Sequence, residues 1–322
     1  MAASPVQPAD LQLVDLREMS AAAIEPILAE QSAHWRDHFR WDFAPARDII
    51  LRYVRMRNLY GYALFSCGSP VGYSYFIHEA NKALLGEAFV SASHRSEPAE
   101  RHLLTQTLRA AAVFPGVRRI EGQLLALGFD PAGDSIYGRK LAVYQRNFML
   151  ADGLEAVSSV PENGASFEFR QWTDRDLEPA AELIRRAYDG HVDSLINDQY
   201  RTSTGARRFL YNSTQHPGCG IFFRQGARAA FDRLTGEMAG LCLGSLVQSR
   251  VAHITQLCVG PNYRGRGLGR QLLGRAVKEY QRHGCDAASL TVTASNEGAI
   301  RLYESMGFRT VRRFPAIVWE AY

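Results

Sequence analysis

The chain has 322 residues, enough for one large domain or two of ordinary size. Hydrophobic residues make up 46% and charged residues 22%, which excludes a disordered chain. A formal net charge of +4 is too small and too dispersed to argue for nucleic acid as a partner.

In chain order, the opening stretch MAASPVQPADLQ has neither a basic n-region nor an apolar h-region, and no apolar run approaches the ~20 residues of a membrane helix. A cytoplasmic protein with no membrane partner is the expectation. Residues 11–16 alternate as a strand, 20–33 and 45–57 have helical spacing, and 60–66, 71–78 and 82–90 are three strands in succession. A helix over 97–113 and a strand over 119–125 follow, and 141–150 ends the unit. The polar, turn-rich stretch 151–166, ADGLEAVSSVPENGAS, reads as a linker. Beyond it come a strand (167–172), a helix (176–188) with Leu177, Ala180, Ala181, Ile184 and Tyr188 at helical spacing, and a second helical segment near 205–211. Strands at 220–231, 238–247 and 251–259 precede a helix from 268 to 282, a strand at 289–293, a helix at 297–306 and closing strands at 308–319.

Both halves therefore read βααβββαβ. That order suggests an internal duplication, although mixed α/β domains can share an order by coincidence. The expected domains are 1–150, a linker 151–166, and 167–322. Five cysteines, odd in number and without a CxxC pair, are expected to be reduced thiols, and no metal site is expected.

The chemistry concentrates in HITQLCVGPNYRGRGLGRQLLGRAVKEY, residues 253–280. A strand leads into Arg264-Gly265-Arg266-Gly267-Leu268-Gly269 and then into an amphipathic helix. The free N–H groups of a helix N-terminus bind anions, and the dipole adds to them. Glycines at 265, 267 and 269 allow a pyrophosphate to approach the backbone, and Arg264 and Arg266 offer charge-assisted contacts. No Gly-Lys-Ser/Thr closes the turn, so it is not a P-loop. The GxGxG spacing, with no parallel βαβ unit before it, also departs from the dinucleotide fingerprint. An ordinary surface turn is the remaining alternative.

The segment resembles motif A of the GNAT N-acetyltransferase superfamily, Arg/Gln-x-x-Gly-x-Gly/Ala, met here by Arg264, Gly267 and Gly269. TASNEGAIRLYESMGF, residues 293–308, resembles the family's motif B through Asn296, Ala299, Tyr303, Gly307 and Phe308. The resemblance covers about 167–319 and is best over 252–308. It implies an α/β (α+β) fold of tandem GNAT-like domains, each a mixed, mainly antiparallel sheet flanked by helices. It also implies that acetyl-CoA is the cofactor, with its pantetheine arm paired to the backbone of the fourth strand at Leu257, Cys258 and Val259.

Family chemistry is direct attack of an amine on a thioester, which needs a neutral amine, a stabilised oxyanion and a proton for the departing thiolate. Tyr303 is the acid candidate, since a phenol of ordinary pKa about 10 can protonate a thiolate of roughly 8.5 or above. The other reading makes Tyr303 a core residue beside Ile300 and Met306. Asn296 lies seven residues earlier, nearly two turns, so both side chains face one side of the helix. It reads either as a cofactor contact or as a helix cap. The Leu257 N–H is the oxyanion donor that the family pattern implies. His253 occupies the position where relatives carry a base, and neutral imidazole suits that role. A water chain without a dedicated base is the competing reading. Strand alternation puts His253, Thr255 and Leu257 on one face, unless a bulge intervenes. Cys258 is read as packing, because nothing near it in sequence activates a thiol.

At the corresponding place the first half reads SASHRSEPAERHLL, without a glycine and with Pro98 entering the helix. It therefore resembles a degenerate unit that supports the other or walls its substrate cleft. The run HWRDHFRWDF, 34–43, suits either base stacking or interface packing. The leading reading is an N-acetyltransferase for a small-molecule or peptide/protein primary amine. The alternative is a non-catalytic acyl-CoA sensor or scaffold. Asp189, His191, Asp193 and Asp198 fall where the acceptor would enter, and attract a cation or simply solvate a helix end. Acceptor identity, acyl length and oligomeric state are not encoded in any motif.

Overall fold

The computed structural model describes residues 11–158, 166–216 and 218–321. The chain forms two compact units. Among the described residues, one unit takes 11–38, 42–146 and 313–321, and the other takes 39–41 and 147–312.

In the first unit, β1 (Gln12–Asp15) leads to α1 (Ala21–Phe39) and α2 (Ala44–Arg55). Strands β2 (Tyr60–Ser66), β3 (Ser69–Glu79) and β4 (Lys82–Val90) follow, then α3 (Glu97–Ala112) and β5 (Arg119–Gln123). A small hairpin, β6 (Ser135–Ile136) and β7 (Arg139–Lys140), precedes β8 (Ala142–Asp152). The sheet order is β1-β2-β3-β4-β5, antiparallel except for the parallel pair β4–β5. Helices α1 and α2 cover one face, packing Ile24, Ile27, Leu28 and Leu51 on Ala63, Tyr73 and Phe89. Helix α3 covers the other, with Leu104 and Leu108 against Phe76 and Leu85. Ser96 caps α3 by accepting the Ala99 N–H, and Pro98 sits in the first turn, where its missing N–H costs nothing.

The second unit repeats this pattern. After the short α4 (Glu155–Ser158), β9 (Phe167–Gln171) leads to α5 (Leu177–Ala187), α6 (Val192–Ile196) and α7 (Ser203–Gln215). Next come β10 (Ile221–Phe222), β11 (Arg228–Asp232), β12 (Met238–Gln248) and β13 (Val251–Val259). Helix α8 (Leu268–Arg282), β14 (Ala287–Thr293), α9 (Glu297–Glu304) and β15 (Arg309–Glu320) complete the chain. The order β14-β13-β12-β11-β9 again has one parallel pair, β13–β14, in the same position. The apolar stripe read from the sequence, Leu272, Leu273, Ala276, Val277 and Tyr280, seats α8 on Ala252, Ile254 and Leu290. Helices α5 and α7 cover the opposite face around Leu241 and Leu243. The fold is therefore mixed α/β, with a mainly antiparallel sheet flanked by helices in each unit.

Three features differ from the sequence expectations. The two units are not consecutive stretches of chain. The second half of β8 pairs with β14 in the second unit, whereas residues 316–320 of β15 pair with β5 in the first. Residues 151–158, expected as linker, form the end of β8 and α4, and Leu154 and Val157 are buried against the second unit's core. Residues 159–165 of that stretch lie outside the described residues. The expected strand over 220–231 breaks into β10 and β11, because the Gly226 N–H bonds back to the Phe223 carbonyl in a turn.

The run 34–43 belongs largely to α1, whose apolar spacing continues through Trp35 and Phe39. Its aromatic rings pack within each unit. Trp35 meets Phe43 in the first, with centroids 5.3 Å apart, and Phe39 meets Phe148 in the second at 5.2 Å. No described helix is long and apolar enough to cross a membrane.

Candidate active site

The second unit contains a cleft of about 630 Å³ where β13 and β14 part. Their parallel register runs from Val251–Ala287 to Ile254–Leu290 and ends there. Beyond it β13 keeps β12 on one side, through Leu257–Cys242 and Val259–Gly240, while its other edge opens on the cleft. Leu257, Cys258 and Val259 all line it.

A bulge sets which side chains face where. Leu243 pairs with Gln256 and Gly244 with Ile254, so Thr255 is extra. The partner at the bulge has to be glycine. A Cβ at Gly244 would lie 2.6 Å from the His253 carbonyl oxygen and 2.2 Å from the Tyr280 hydroxyl. The bulge inverts the expected alternation. Ile254, Leu257 and Val259 share the α8 side, whereas Cys258 packs with the α5 and α7 side. His253 is consequently not on the Leu257 face. It is buried in contact with the Ser289 hydroxyl (2.9 Å) and between the Trp41 and Phe148 rings (4.8 and 6.1 Å), and the lining of the cleft does not include it.

The glycine turn forms the other end of the cleft. Gly265 and Gly267 hold φ of +76° and +70°, with no atom within 4 Å of an added Cβ. Gly267 ends the turn as the left-handed residue preceding α8. The first intrahelical bond is donated by the Gln271 N–H to the Gly267 carbonyl. The N–H groups of Leu268, Gly269 and Arg270 precede it and have no acceptor in the helix. All three residues line the cleft, as do Gly265 and Gly267. Gly269 is helical, and its Cβ would meet Leu302 at 3.4 Å, an ordinary contact.

The two arginines of the turn behave differently from the expectation. Arg264 lines the cleft, but its Nη2 donates to the carbonyl of Ala187 at 2.7 Å, capping the C-terminal end of α5. Arg266 lies over the Tyr263 ring at 5.8 Å and is not part of the lining. Arg270, which the motif does not single out, is.

Asn296 and Tyr303 line the cleft from α9. The two sequence readings of Asn296 coexist: its Oδ1 accepts the Ala299 N–H as a cap, while its Nδ2 lies 3.4 Å from His191 Nε2. Tyr303 is 8% exposed and meets Phe308 edge-on, so it is both a core residue and a wall of the cleft. Burial pushes the Cys258 thiol up to about 12, against the opposing pull of a Gln256 hydrogen bond, which leaves it protonated and inert.

Sequence reasoning placed His191 only at an acceptor entrance. It lines the cleft, and its Nδ1 accepts the Asp193 N–H at 3.1 Å with the Asp193 carboxylate at 3.7 Å. The Thr293 hydroxyl, at the end of β14, donates to the other carboxylate oxygen. Tyr188, also in the lining, accepts from Gln256 Nε2 at 2.8 Å and stacks on Tyr200 at 4.5 Å. Burial, reinforced by Tyr200 and Cys258, raises the Tyr188 phenol well above its ordinary value. No motif spacing marks these residues, because the loop joining α5 to α6 and α7 brings them in.

The sheet of this unit opens beyond the β13–β14 parallel pair, and the glycine-rich N-terminus of α8 lines the opening. Residues 185–308 match the model of the GNAT acetyltransferase family. The [Ribosomal protein bS18]-alanine N-acetyltransferase of Escherichia coli K12 is 40% identical over 93 residues, which cover 28% of this chain and 62% of that protein. The chain thus spans under two thirds of that relative's length. Two solved structures share the fold over nearly the whole chain. One is a GCN5-related N-acetyltransferase from Sphaerobacter thermophilus (16% identical, TM-score 0.64, 98% of this chain and 97% of that one). The other is a tandem GNAT protein from the clavulanic acid biosynthesis pathway (18%, 0.56, 97% and 99%).

Proposed function

We propose that the second unit transfers an acetyl group from acetyl-CoA to a primary amine. The observation that supports this most is the open amide cradle at 265–270, which shares one cleft with Asn296 and Tyr303. Left-handed glycines with empty space beside them suit a diphosphate, which a side chain at those positions would displace. The unpaired edge of β13 at Leu257–Val259 suits a pantetheine arm, and Asn296 Nδ2 suits one of its carbonyls.

When bound, the coenzyme supplies an activated acetyl group as a thioester. The chain's residues divide the remaining work. The Leu257 N–H would donate to the acetyl oxygen of a bound thioester. Tyr303 would give its hydroxyl proton to the departing sulfur as the carbon–sulfur bond breaks. The proton that the amine loses as the carbon–nitrogen bond forms would leave through water in the cleft, because the His191 Nδ1 lone pair already accepts the Asp193 N–H and the ring so carries its own proton on Nε2; Thr293 steadies Asp193 beside that ring. The lining of the cleft does not include His253, so of the two expectations for the base the water chain is the one retained.

The bS18-alanine acetyltransferase acts on a protein amine, which favours a peptide or protein N-terminus as acceptor here. The test is thiol release from acetyl-CoA with a panel of amines that includes peptides beginning with alanine. Release that depends on an amine supports the reading. Coenzyme A binding without turnover on any amine would convert it to that of a sensor, and absence of binding would end it.

A further inference from the structure

Two half-buried side chains in the lining of the cleft each cap a helix, and each is left with a hydrogen-bond donor. His191 stands before α6, and its Nδ1 accepts the Asp193 N–H at 3.1 Å. Asn296 stands likewise before α9, and its Oδ1 accepts the Ala299 N–H at 3.2 Å. A backbone N–H can only donate, so these bonds fix the state of the side chains that accept them. The Asn296 amide turns its oxygen to the helix and keeps its NH2 for the cleft. The His191 ring keeps Nδ1 bare of hydrogen, which puts its proton on Nε2.

The two atoms left over, Asn296 Nδ2 and His191 Nε2, lie 3.4 Å apart. Both carry hydrogen, so the contact sets donor against donor. Reversing either side chain breaks a cap. An Nδ1–H tautomer would face the Asp193 N–H with a second hydrogen, and a turned amide would do the same to the Ala299 N–H. The ring is held from several sides as well. Tyr188 meets it edge-on at 5.4 Å, the Ser194 hydroxyl donates to the His191 carbonyl at 2.7 Å, and the Thr293 hydroxyl donates to the Asp193 carboxylate beside it. Among the described residues, neither side-chain nitrogen meets an acceptor oxygen.

We infer that His191 and Asn296 together hold one amide carbonyl oxygen of a bound molecule, with His191 Nε2–H and Asn296 Nδ2–H converging on it. A carbonyl oxygen has two lone pairs, and donors 3.4 Å apart can both reach it at the ordinary distance of about 2.9–3.0 Å. An acceptor there relieves the donor–donor contact, whereas an amine would add a third donor. The Asp193 carboxylate, 3.7 Å from the ring, disfavours an anion, which leaves a neutral carbonyl as the match. The inference rests on the acetyl-transfer reading, under which two molecules bring amide carbonyls into this cleft: the pantetheine arm and a peptide acceptor. It gives His191 a binding role in place of proton transfer.

Calorimetry of the whole chain with coenzyme A and with ADP, which has the diphosphate but no pantetheine, tests it beside steady-state kinetics on a peptide beginning with alanine. His191→Ala should weaken coenzyme A about three- to tenfold, the effect of one hydrogen bond, and leave ADP within about twofold. His191→Gln restores a side-chain N–H and should recover most of that loss. Asn296→Asp keeps the cap but sets an oxygen opposite His191 Nε2, so it should weaken coenzyme A more than His191→Ala does. If the peptide supplies the carbonyl, coenzyme A affinity stays unchanged in His191→Ala and the peptide KM rises about three- to tenfold instead, with kcat retained. Should His191→Ala lose its fold by circular dichroism, the contrast between His191→Gln and Asn296→Asp gives the same reading. Equal loss of ADP, no recovery with glutamine, or unchanged affinity and KM would overturn the inference. A parent chain that binds no coenzyme A would instead end the acetyl-transfer reading, and this inference with it.

Discussion

The residues of the cleft differ in what each contributes, and single substitutions separate them. Tyr303 has a packing role and a proton to give, and Tyr303→Phe removes only the second. Turnover should fall by roughly 10²- to 10⁴-fold, the usual worth of a general acid, with coenzyme A affinity changed less than about threefold. Steady-state kinetics beside calorimetry reads both, and a parallel loss of affinity would assign Tyr303 to binding instead. Gly267 and Gly269 make a second contrast. A side chain at Gly267 has free space but a φ of +70°, so Gly267→Val is strained by roughly 1–2 kcal/mol and also blocks the cradle. Gly269 is helical with room for one carbon, so Gly269→Ala should retain coenzyme A binding while Gly267→Val loses at least about tenfold. The two motifs made the places of Tyr303, Asn296 and the glycines in one cleft legible, because those places depend on local backbone and helix periodicity. His191 was not legible as a cleft residue, because its place depends on a loop folding back over the α9 N-terminus. His253 was misplaced for a comparable reason: a one-residue bulge opposite Gly244 turns its side chain away.

Element boundaries followed the sequence wherever one face is buried and the period is clear, as in α8 and β4. Turns that depend on tertiary contact, such as the break between β10 and β11, did not. The helices beside the cleft are joined by a carboxylate with a pH signature. Glu182 of α5 accepts from Arg185 of its own helix (2.6 Å) and from Ser203 at the start of α7 (2.8 Å). These bonds, the Arg185 one foremost, hold its carboxyl down to about 2 from an ordinary 4.5. A depressed carboxylate contributes stability that is complete above the ordinary value and is lost as pH falls from 4.5 towards 2. Because the side chain is 43% exposed, solvent screening keeps the effect below about 1 kcal/mol. Thermal melts at pH 7 and pH 3 should therefore differ less for Glu182→Gln than for the parent chain. An unchanged difference would remove Glu182 from the acid sensitivity of this helix pair. At the other wall, Asn296→Ala should cost α9 its cap, about 1 kcal/mol in denaturant melts, while Asn296→Asp retains the cap and loses the amide donor.

At the scale of the molecule, the two units share one plan, with the same strand order and a parallel pair at the same position, and differ in the helix start that follows the first strand of that pair. Ser96, Glu97 and Pro98 begin α3, where α8 begins with open glycines, so only the second unit presents a bare amide cradle. The sequence conveyed that asymmetry but not the exchange of strand segments. A strand's alternation states that it has a buried face without stating which sheet it joins. The exchange has a direct consequence for cutting the chain. Phe148, Met149 and Leu150 of β8 are 1%, 0% and 4% exposed, and Met149 packs into the second unit's main core. Burying three such side chains is worth about 5–9 kcal/mol, at about 1.5–3 each. That is comparable to the whole stability of an ordinary domain, about 5–15 kcal/mol. A fragment of residues 167–322 retains every cleft residue named above, yet it lacks this strand and leaves the edge of β14 unpaired. It should be aggregated or molten by circular dichroism and fail to bind coenzyme A, whereas a fragment starting at residue 142 should recover part of its cooperative melt. Residues 314–320 matter likewise to the first unit, where Ile317 and Trp319 are buried in the core and β15 pairs with β5. Co-expression of 1–158 with 159–322 should therefore yield a soluble complex from halves that fail alone. A well-folded, coenzyme-binding 167–322 fragment would show that the second sheet closes without β8.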